Sequence, residues 1–380
     1  MQSPSNATRI VPVRNKKDLD IFIKLPWKIY SRDPAWVPPL ILERKSHLSR
    51  KNPFLKRAQS EFWLAYRDGE PVGRISAQID PLYYEQHGVK CGYFGMLEAE
   101  DNADTFRALF DAAESWLQEN GREVAKGPFN LSINEELGLL VDGFQTSPYF
   151  MMGHAPRFYS GQVESCGYGQ EKDLLAYRLN ADFSKPYPMR RAIGKYSHRI
   201  TLRPVDKRNL QTEMSMLKDL FNNAWSGNWG FVPFTGEEFQ ELGKQLKYVV
   251  PGKYAQVAHV DGEPAAMFIA LPDFNEMIKD LDGKLAPFNW LKLLYRILFS
   301  PPAGARVPLM GIKREYQNSL LGAALVYSLI EAIQPEGLAR GVKEVELSWI
   351  LEDNHSLRKI LSTLGASVHK RYRMYSKELI

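Results

Sequence analysis

Two stretches of this chain hold residue types that could do chemistry. In VPLMGIKREYQNSLLGAALVYSLIEA, from Val307, Lys313 and Arg314 precede Gln317, Asn318 and Ser319, and an apolar run opening with Gly322, Ala323 and Ala324 follows. A loop that turns directly into a helix presents unpaired backbone N–H groups and the positive end of the helix dipole, which together suit a pyrophosphate. The two cations could meet its charge, and the small residues leave room for a ligand against the helix start. An ordinary loop and packing helix has the same local pattern.

The second stretch is GPFNLSINEELGLLVDGF, from Gly127. Asn130, Ser132, Asn134, Glu135 and Asp142 interleave there with Phe129, Leu131, Ile133, Leu137, Leu139 and Leu140. Polar groups that close to apolar ones are costly to bury unless paired, so they lie at a cleft or form a structural network. Three side chains are candidates for a general base. Glu135 qualifies because partial burial can raise a carboxylate toward neutral pKa, His154 because imidazole starts there, and Glu346 by its place on a predicted strand. Each has a structural alternative: Glu135 can cap or pair, His154 can be a satisfied core residue, and Glu346 can face solvent. Cys91 and Cys166 fit no metal, redox or nucleophile pattern, so no metal site is expected.

The elements that must position these residues occur twice. DGEP stands at Asp68–Pro71 and again at Asp261–Pro264, each time between β-branched and aromatic runs, and Asp-Gly is a strong signal for a tight hairpin. Around the two copies, RIVPV at Arg9 faces RITLR at Arg199, AWVPP at Ala35 faces GFVPF at Gly230, and the segment of Gly167 faces that of Gly365. Matches in the same order at a nearly fixed offset indicate duplication. Each copy reads as strand, helix, proline-bearing loop, hairpin, strand, long helix, strand, then a short helix running into a closing hairpin. The predicted fold is therefore α/β (α+β), two tandem domains each with a mixed central sheet flanked by helices in three layers. The expected division is 1–182, a linker at 183–199, and 200–380.

Length and composition agree with this. The 380 residues suit two cores rather than one. With 44% hydrophobic and 24% charged residues the chain reads as soluble and globular, and a net charge of +5 implies no nucleic-acid partner while permitting an anionic ligand or surface. No apolar leader core or long uncharged apolar run is present, so a cytoplasmic location is expected. The second copy has an insert that the first lacks, from Asn275 to Ala305. Its stretch 288–299 carries Trp290, Leu291, Leu294, Ile297 and Leu298 at helical spacing, with Lys292 and Arg296 between them. Such a helix can lie peripherally on the inner membrane, wall off an acyl channel, or pack on its own sheet.

With these residues in view, the Val307 segment resembles the strand, loop and helix that bind coenzyme A in the GCN5-related N-acetyltransferase (GNAT) superfamily. VELSWILEDNHSLRKILSTLGASV resembles that superfamily's next strand and helix, with Asn354 and Leu364-Gly365 at its motif positions. KLPWKIYSRDPAWVPPL, NPFLKRAQSEFWLAYRDGEPVGRISAQID and GPFNLSINEELGLLVDGF extend the resemblance to a bacterial tandem-GNAT family that includes ceramide synthase-like proteins. The resemblance implies an acyl-CoA or acetyl-CoA co-substrate held by Gly311, Ile312, Lys313, Gln317, Asn318, Ser319, Gly322, Ala323 and Asn354. It also implies an acceptor site that includes Asn130, Ser132, Asn134 and Tyr159, in the cleft between the halves.

Two departures stand out. Leu320 replaces the first glycine of the superfamily's loop, and Leu361 stands where many acetyltransferases have a proton-donating tyrosine. In the first half, Glu98, Glu100, Asp101 and Asp104 would repel phosphate, so a single acyl-CoA site is expected, in the second half. The leading expectation is an N-acyltransferase that moves an acyl group from acyl-CoA to a small-molecule or lipid amine. Attack would be direct, with backbone N–H groups near Gly311–Lys313 polarising the carbonyl. The alternatives are a silent acyl-CoA or lipid-binding protein and an aminoacyl-tRNA-dependent transferase.

Overall fold

A computed structural model describes residues 7–247 and 249–379. They pack into two compact units. The first contains 7–173, 281–284 and 370–379, and the second contains 174–280 and 285–369. The units do not follow the linear halves, because 174–182 packs with the second unit and 370–379 with the first.

Both DGEP segments are tight hairpin turns. The first joins strands Gln59–Arg67 and Glu70–Ile79, and the second joins Ala255–Val260 and Glu263–Pro272. Asp68 and Gly69 sit at φ +51° and +82°, and Asp261 and Gly262 at +51° and +91°. Left-handed backbone at both central positions is what the twist of paired strands demands, and Asp-Gly supplies it at low cost.

In the first unit, Arg9–Pro12 pairs with the hairpin, which continues antiparallel into Cys91–Ala99. That strand then pairs in parallel with Val124–Gly127 through the helix Ala103–Glu119. Phe22 and Leu25 of helix Lys16–Ile29 pack on Leu64 and Met96. Leu109 presses on Gly73, where a Cβ would meet its side chain at 2.8 Å. Gly73 lies opposite Ala65, the neighbour of Leu64. Adjacent strand residues face opposite ways, so the two helices cover opposite faces and make three layers. Phe22, Leu64 and Leu109 are fully buried, each contributing about 1.5–3 kcal/mol.

The second unit repeats the order. Strands Ile200–Pro204, Ala255–Val260, Glu263–Pro272 and Gly304–Ile312 run antiparallel. Gly304–Ile312 then pairs in parallel with Glu344–Leu351, which pairs antiparallel with the 174–180 part of strand Gly169–Asn180. Helix Leu320–Ala339 lies over Phe268 and Val307. Helix Leu210–Trp225 lies on the other face, where the Trp225 ring fills the space beside Gly311. The segment read as a linker contains a helix, Tyr187–Tyr196, with Met189 fully buried, packed on helix Leu320–Ala339. Each repeat closes with one long strand, Gly169–Asn180 or Ser367–Glu378, rather than with a hairpin. Among the described residues no helix is long and apolar enough to cross a membrane.

Candidate functional site

The parallel pairing in the second unit ends early. Gly304–Val307 pairs with Glu344–Leu347, and beyond those four positions each strand pairs with its other neighbour. Both strands are irregular at that point. Val307 and Pro308 together oppose Ala270, and Ser348 and Trp349 together oppose Ala176. Proline has no N–H for a ladder bond and is confined to bulges and edges, which gives the sequence reason for the parting. Residues 308–310 are accordingly half-buried, although 304–307 are buried. The strands open into a wedge with Pro308 and Ser348 at its apex.

One wall of the wedge offers donors. Lys313 N–H donates to the Ala265 carbonyl at 2.9 Å, and Gly311 pairs with Met267. In an antiparallel ladder alternate residues point the same way, so Met310 and Ile312 direct their N–H groups away from that partner, toward the vacated side. The N–H of Lys313, expected to help polarise a carbonyl, is therefore already engaged.

Past the wedge, the chain makes a short turn at Arg314–Tyr316 and enters helix Leu320–Ala339. Ser319 caps the helix by accepting from Gly322 N–H at 3.0 Å. The N–H groups of Leu320 and Leu321 have no partner among the described residues, as the first turn of a helix dictates. Lys313 and Arg314 have no carboxylate partner among the described residues, and Gln317 to Leu320 are exposed. This combination fits a phosphate group.

Several residues expected to touch the cofactor hold the loop and its neighbours together. Gln317 donates to the Ala224 and Ile312 carbonyls, both at 2.9 Å. Asn318, at φ +55°, accepts from the Ser356 hydroxyl at 2.7 Å. Asn354 caps helix His355–Thr363 through Leu357 N–H. The room expected at Gly322 is occupied by the Tyr316 carbonyl, which a Cβ would meet at 2.2 Å. Ala323 makes the first helical bond, to the Ser319 carbonyl.

Beneath the apex lies a buried polar cluster. Arg306 and Glu346 are both fully buried, so Glu346 does not face solvent. The Ser348 hydroxyl accepts from Arg306 Nε at 2.9 Å and donates to Glu346 Oε1 at 2.7 Å. His369 Nε2 lies 2.8 Å from Glu346 Oε2, and its side chain is 10% exposed. This contact ties the imidazole ring to the carboxylate end of the cluster. Sequence reading missed His369, whose partner lies 23 positions away. Leu361 is fully buried, so that position presents no acid.

The first unit has the same parallel parting after Cys91–Tyr93, and there the chain closes it. The Phe129 carbonyl sits where a Gly95 Cβ would be, 1.7 Å away. Asn130 accepts from Met96 N–H at 2.8 Å and donates to Glu136 at 2.7 Å. Ser132 is buried and accepts from Asn134 N–H at 3.2 Å. Glu135 lies 3.4 Å from His47, which burial holds down at about 4. His154 reaches Asp33 at 2.7 Å, and burial lowers its pKa. Tyr159 is buried, bonded to Ala99 and, at 3.0 Å, to Glu98. Glu98 also accepts from Tyr30 at 2.7 Å, and burial pushes its carboxyl up to about 7. The expected acceptor residues thus take part in two hydrogen-bonded networks.

Among the described residues no group of three or more His, Cys, Asp or Glu could hold a metal ion. Cys91 is buried in the first unit, with its thiol pushed up to about 12 by burial. An apolar cavity of about 60 Å³ lies under helix Leu320–Ala339, where Gln334 donates to the Ala181 and Phe183 carbonyls.

No protein-family model matches the chain. It is 43% identical to Protein YghO of Escherichia coli, covering 96% of this chain and 94% of that protein. It is 41% identical to the bacterial ceramide synthase of Caulobacter vibrioides, covering 97% of each. Among solved structures it is similar to a tandem GNAT protein from the clavulanic acid biosynthesis pathway, at TM-score 0.58 and 14% identity over 98% of this chain and 99% of that one. It is also similar to a GCN5-related glucosamine N-acetyltransferase region of a fungal β-N-acetylglucosaminidase, at TM-score 0.60 and 17% identity over 98% of this chain and 38% of that one.

Proposed function

The chain belongs to the bacterial ceramide synthase-like family of tandem GNAT proteins, and from that premise we propose that its second unit moves an acyl group from acyl-CoA to an amine. The observation that carries the reading is the open wedge leading to a helix start whose first N–H groups, and whose two neighbouring cations, have no N–H acceptor or carboxylate partner among the described residues. The N–H groups of Leu320 and Leu321, with Lys313 and Arg314, take the pyrophosphate. Met310 and Ile312 donate to the thioester carbonyl as it gains negative charge.

His369 serves as the base. The imidazole takes the proton as the amine nitrogen bonds to the carbonyl carbon and the carbon–sulfur bond breaks, releasing the CoA thiolate. Glu346 is a positioning residue that orients the ring through its contact with Nε2. The acceptor is a long-chain, sphingoid-type amine, a choice that rests on the name of the Caulobacter relative.

A second reading, an acyl-CoA-binding protein without turnover, is favoured by one observation: buried Leu361 in place of a proton donor. Calorimetric titration with acetyl-CoA and palmitoyl-CoA, on the wild type and on Lys313→Glu/Arg314→Glu, tests the shared step. Binding lost in the double variant supports both readings. Binding unchanged in it removes the loop from the site and overturns both.

A further inference from the structure

We infer that helix Asn289–Phe299, with Phe288 before it, docks on an anionic lipid bilayer surface. This does not depend on the acyl-transfer reading. Of the helix's own side chains Leu293 alone is buried. Phe288, Trp290, Leu291, Leu294, Tyr295, Ile297, Leu298 and Phe299 are all exposed, from 40% for Ile297 to 72% for Phe288. Four aromatic and four aliphatic side chains so exposed make a patch on the order of several hundred Å², at or above the largest that soluble monomers usually show.

The polar side of the helix is the anchored side. Arg296 donates to Asp280 at 2.6 and 2.9 Å and to the Met277 carbonyl at 2.6 Å, and Lys292 reaches Asp280 at 2.5 Å. Those bonds fix the helix with its apolar side turned out to solvent. At 100° per residue the exposed apolar side chains fill an arc of about 200°, with Asn289, Lys292, Leu293 and Arg296 in the remainder. A helix seated in a protein groove shows a narrower stripe of anchors. An arc beyond half the circumference suits a helix half-immersed in a bilayer, where Trp290 and Tyr295 take the interfacial positions aromatic rings prefer.

Charge selects the kind of bilayer. From 283 to 303 the charged residues are Lys284, Lys292 and Arg296, with no acid among them. Asp280 is paired with the two helix cations and Asp282 with Lys284 at 2.7 Å, and over 276–303 Lys279, Lys284, Lys292 and Arg296 stand against Glu276, Asp280 and Asp282. Four cations against three acids leave this stretch one positive charge in excess, the sign an anionic surface attracts.

Flotation of the full chain with vesicles tests this. Co-flotation with phosphatidylcholine–phosphatidylglycerol vesicles, and weaker binding to phosphatidylcholine alone, is expected. Trp290→Gln/Leu294→Gln/Leu298→Gln should lose at least about tenfold in binding with its circular dichroism and Tm unchanged, because all three are exposed. Phe288→Ser/Phe299→Ser, which alters only the ends, should also weaken binding. No binding to either vesicle, or binding that both variants retain, overturns the inference. So does a wild-type dimer in light scattering that the triple variant converts to monomer, which would make the face an interface with a second copy.

Discussion

Arg306 Nε lies 3.8 Å from Glu346 Oε1 with neither side chain exposed, and the Ser348 hydroxyl bridges them. Each strand places one charge beside the other in the last stretch of parallel ladder, one residue before the strands part. A pair so buried adds little net stability, but losing one partner strands the other charge.

Glu346→Leu should therefore cost roughly 3–5 kcal/mol, whereas Arg306→Met/Glu346→Leu should cost much less. Urea unfolding of the three proteins checks this. A double variant as unstable as the single would contradict the pairing.

Glu98 gives stability a pH dependence. Its folded pKa, raised by burial to about 7, lies above its unfolded value. The folded state holds the extra proton between those values, so this contribution is fully present at low pH and lost as pH rises through about 7. The loss is at most about 3 kcal/mol. His47, held near 4, slopes the opposite way between its folded and unfolded values. The clean readout is thus a difference: Glu98→Gln should gain Tm relative to wild type from pH 5 to 8. A constant difference would contradict the raised pKa.

Asn130→Ala separates a plug from an acceptor site. Removing the bonds to Met96 and Glu136 should cost about 1–3 kcal/mol in urea unfolding. The KM for the amine should not change. A raised KM at unchanged stability would return Asn130 to substrate binding.

Gly322→Ala places a methyl 2.2 Å from the Tyr316 carbonyl and must push the loop aside. CoA affinity should fall at least about tenfold, with overpacking costing about 1–3 kcal/mol. Calorimetry and thermal unfolding read both effects.

The hairpins and the duplicated order were legible because Asp-Gly turns and apolar periodicity are local signals. The cofactor loop was legible as a place, since Lys313, Arg314 and the helix start are contiguous, but not in its details. Whether Gln317 or Asn354 meets a ligand or the backbone depends on Ala224 and Leu357, which no local pattern identifies. Pro308 was the available sign of the wedge. Glu98 read only as an acid that would repel phosphate, because its burial against Tyr30 and Tyr159 comes from distant positions. His369 became meaningful only once the sheet brought it to Glu346.

The most direct measurement is amine-dependent release of free CoA thiol from palmitoyl-CoA, with a long-chain 2-amino alcohol as acceptor, for wild type and His369→Gln. Release that requires the amine in wild type, and falls at least about a hundredfold in the variant while palmitoyl-CoA still binds, is the predicted result. Equal turnover in both proteins would contradict His369 as the base. Binding without amine-dependent release in wild type, across amines and acyl lengths, would contradict the acyltransferase itself.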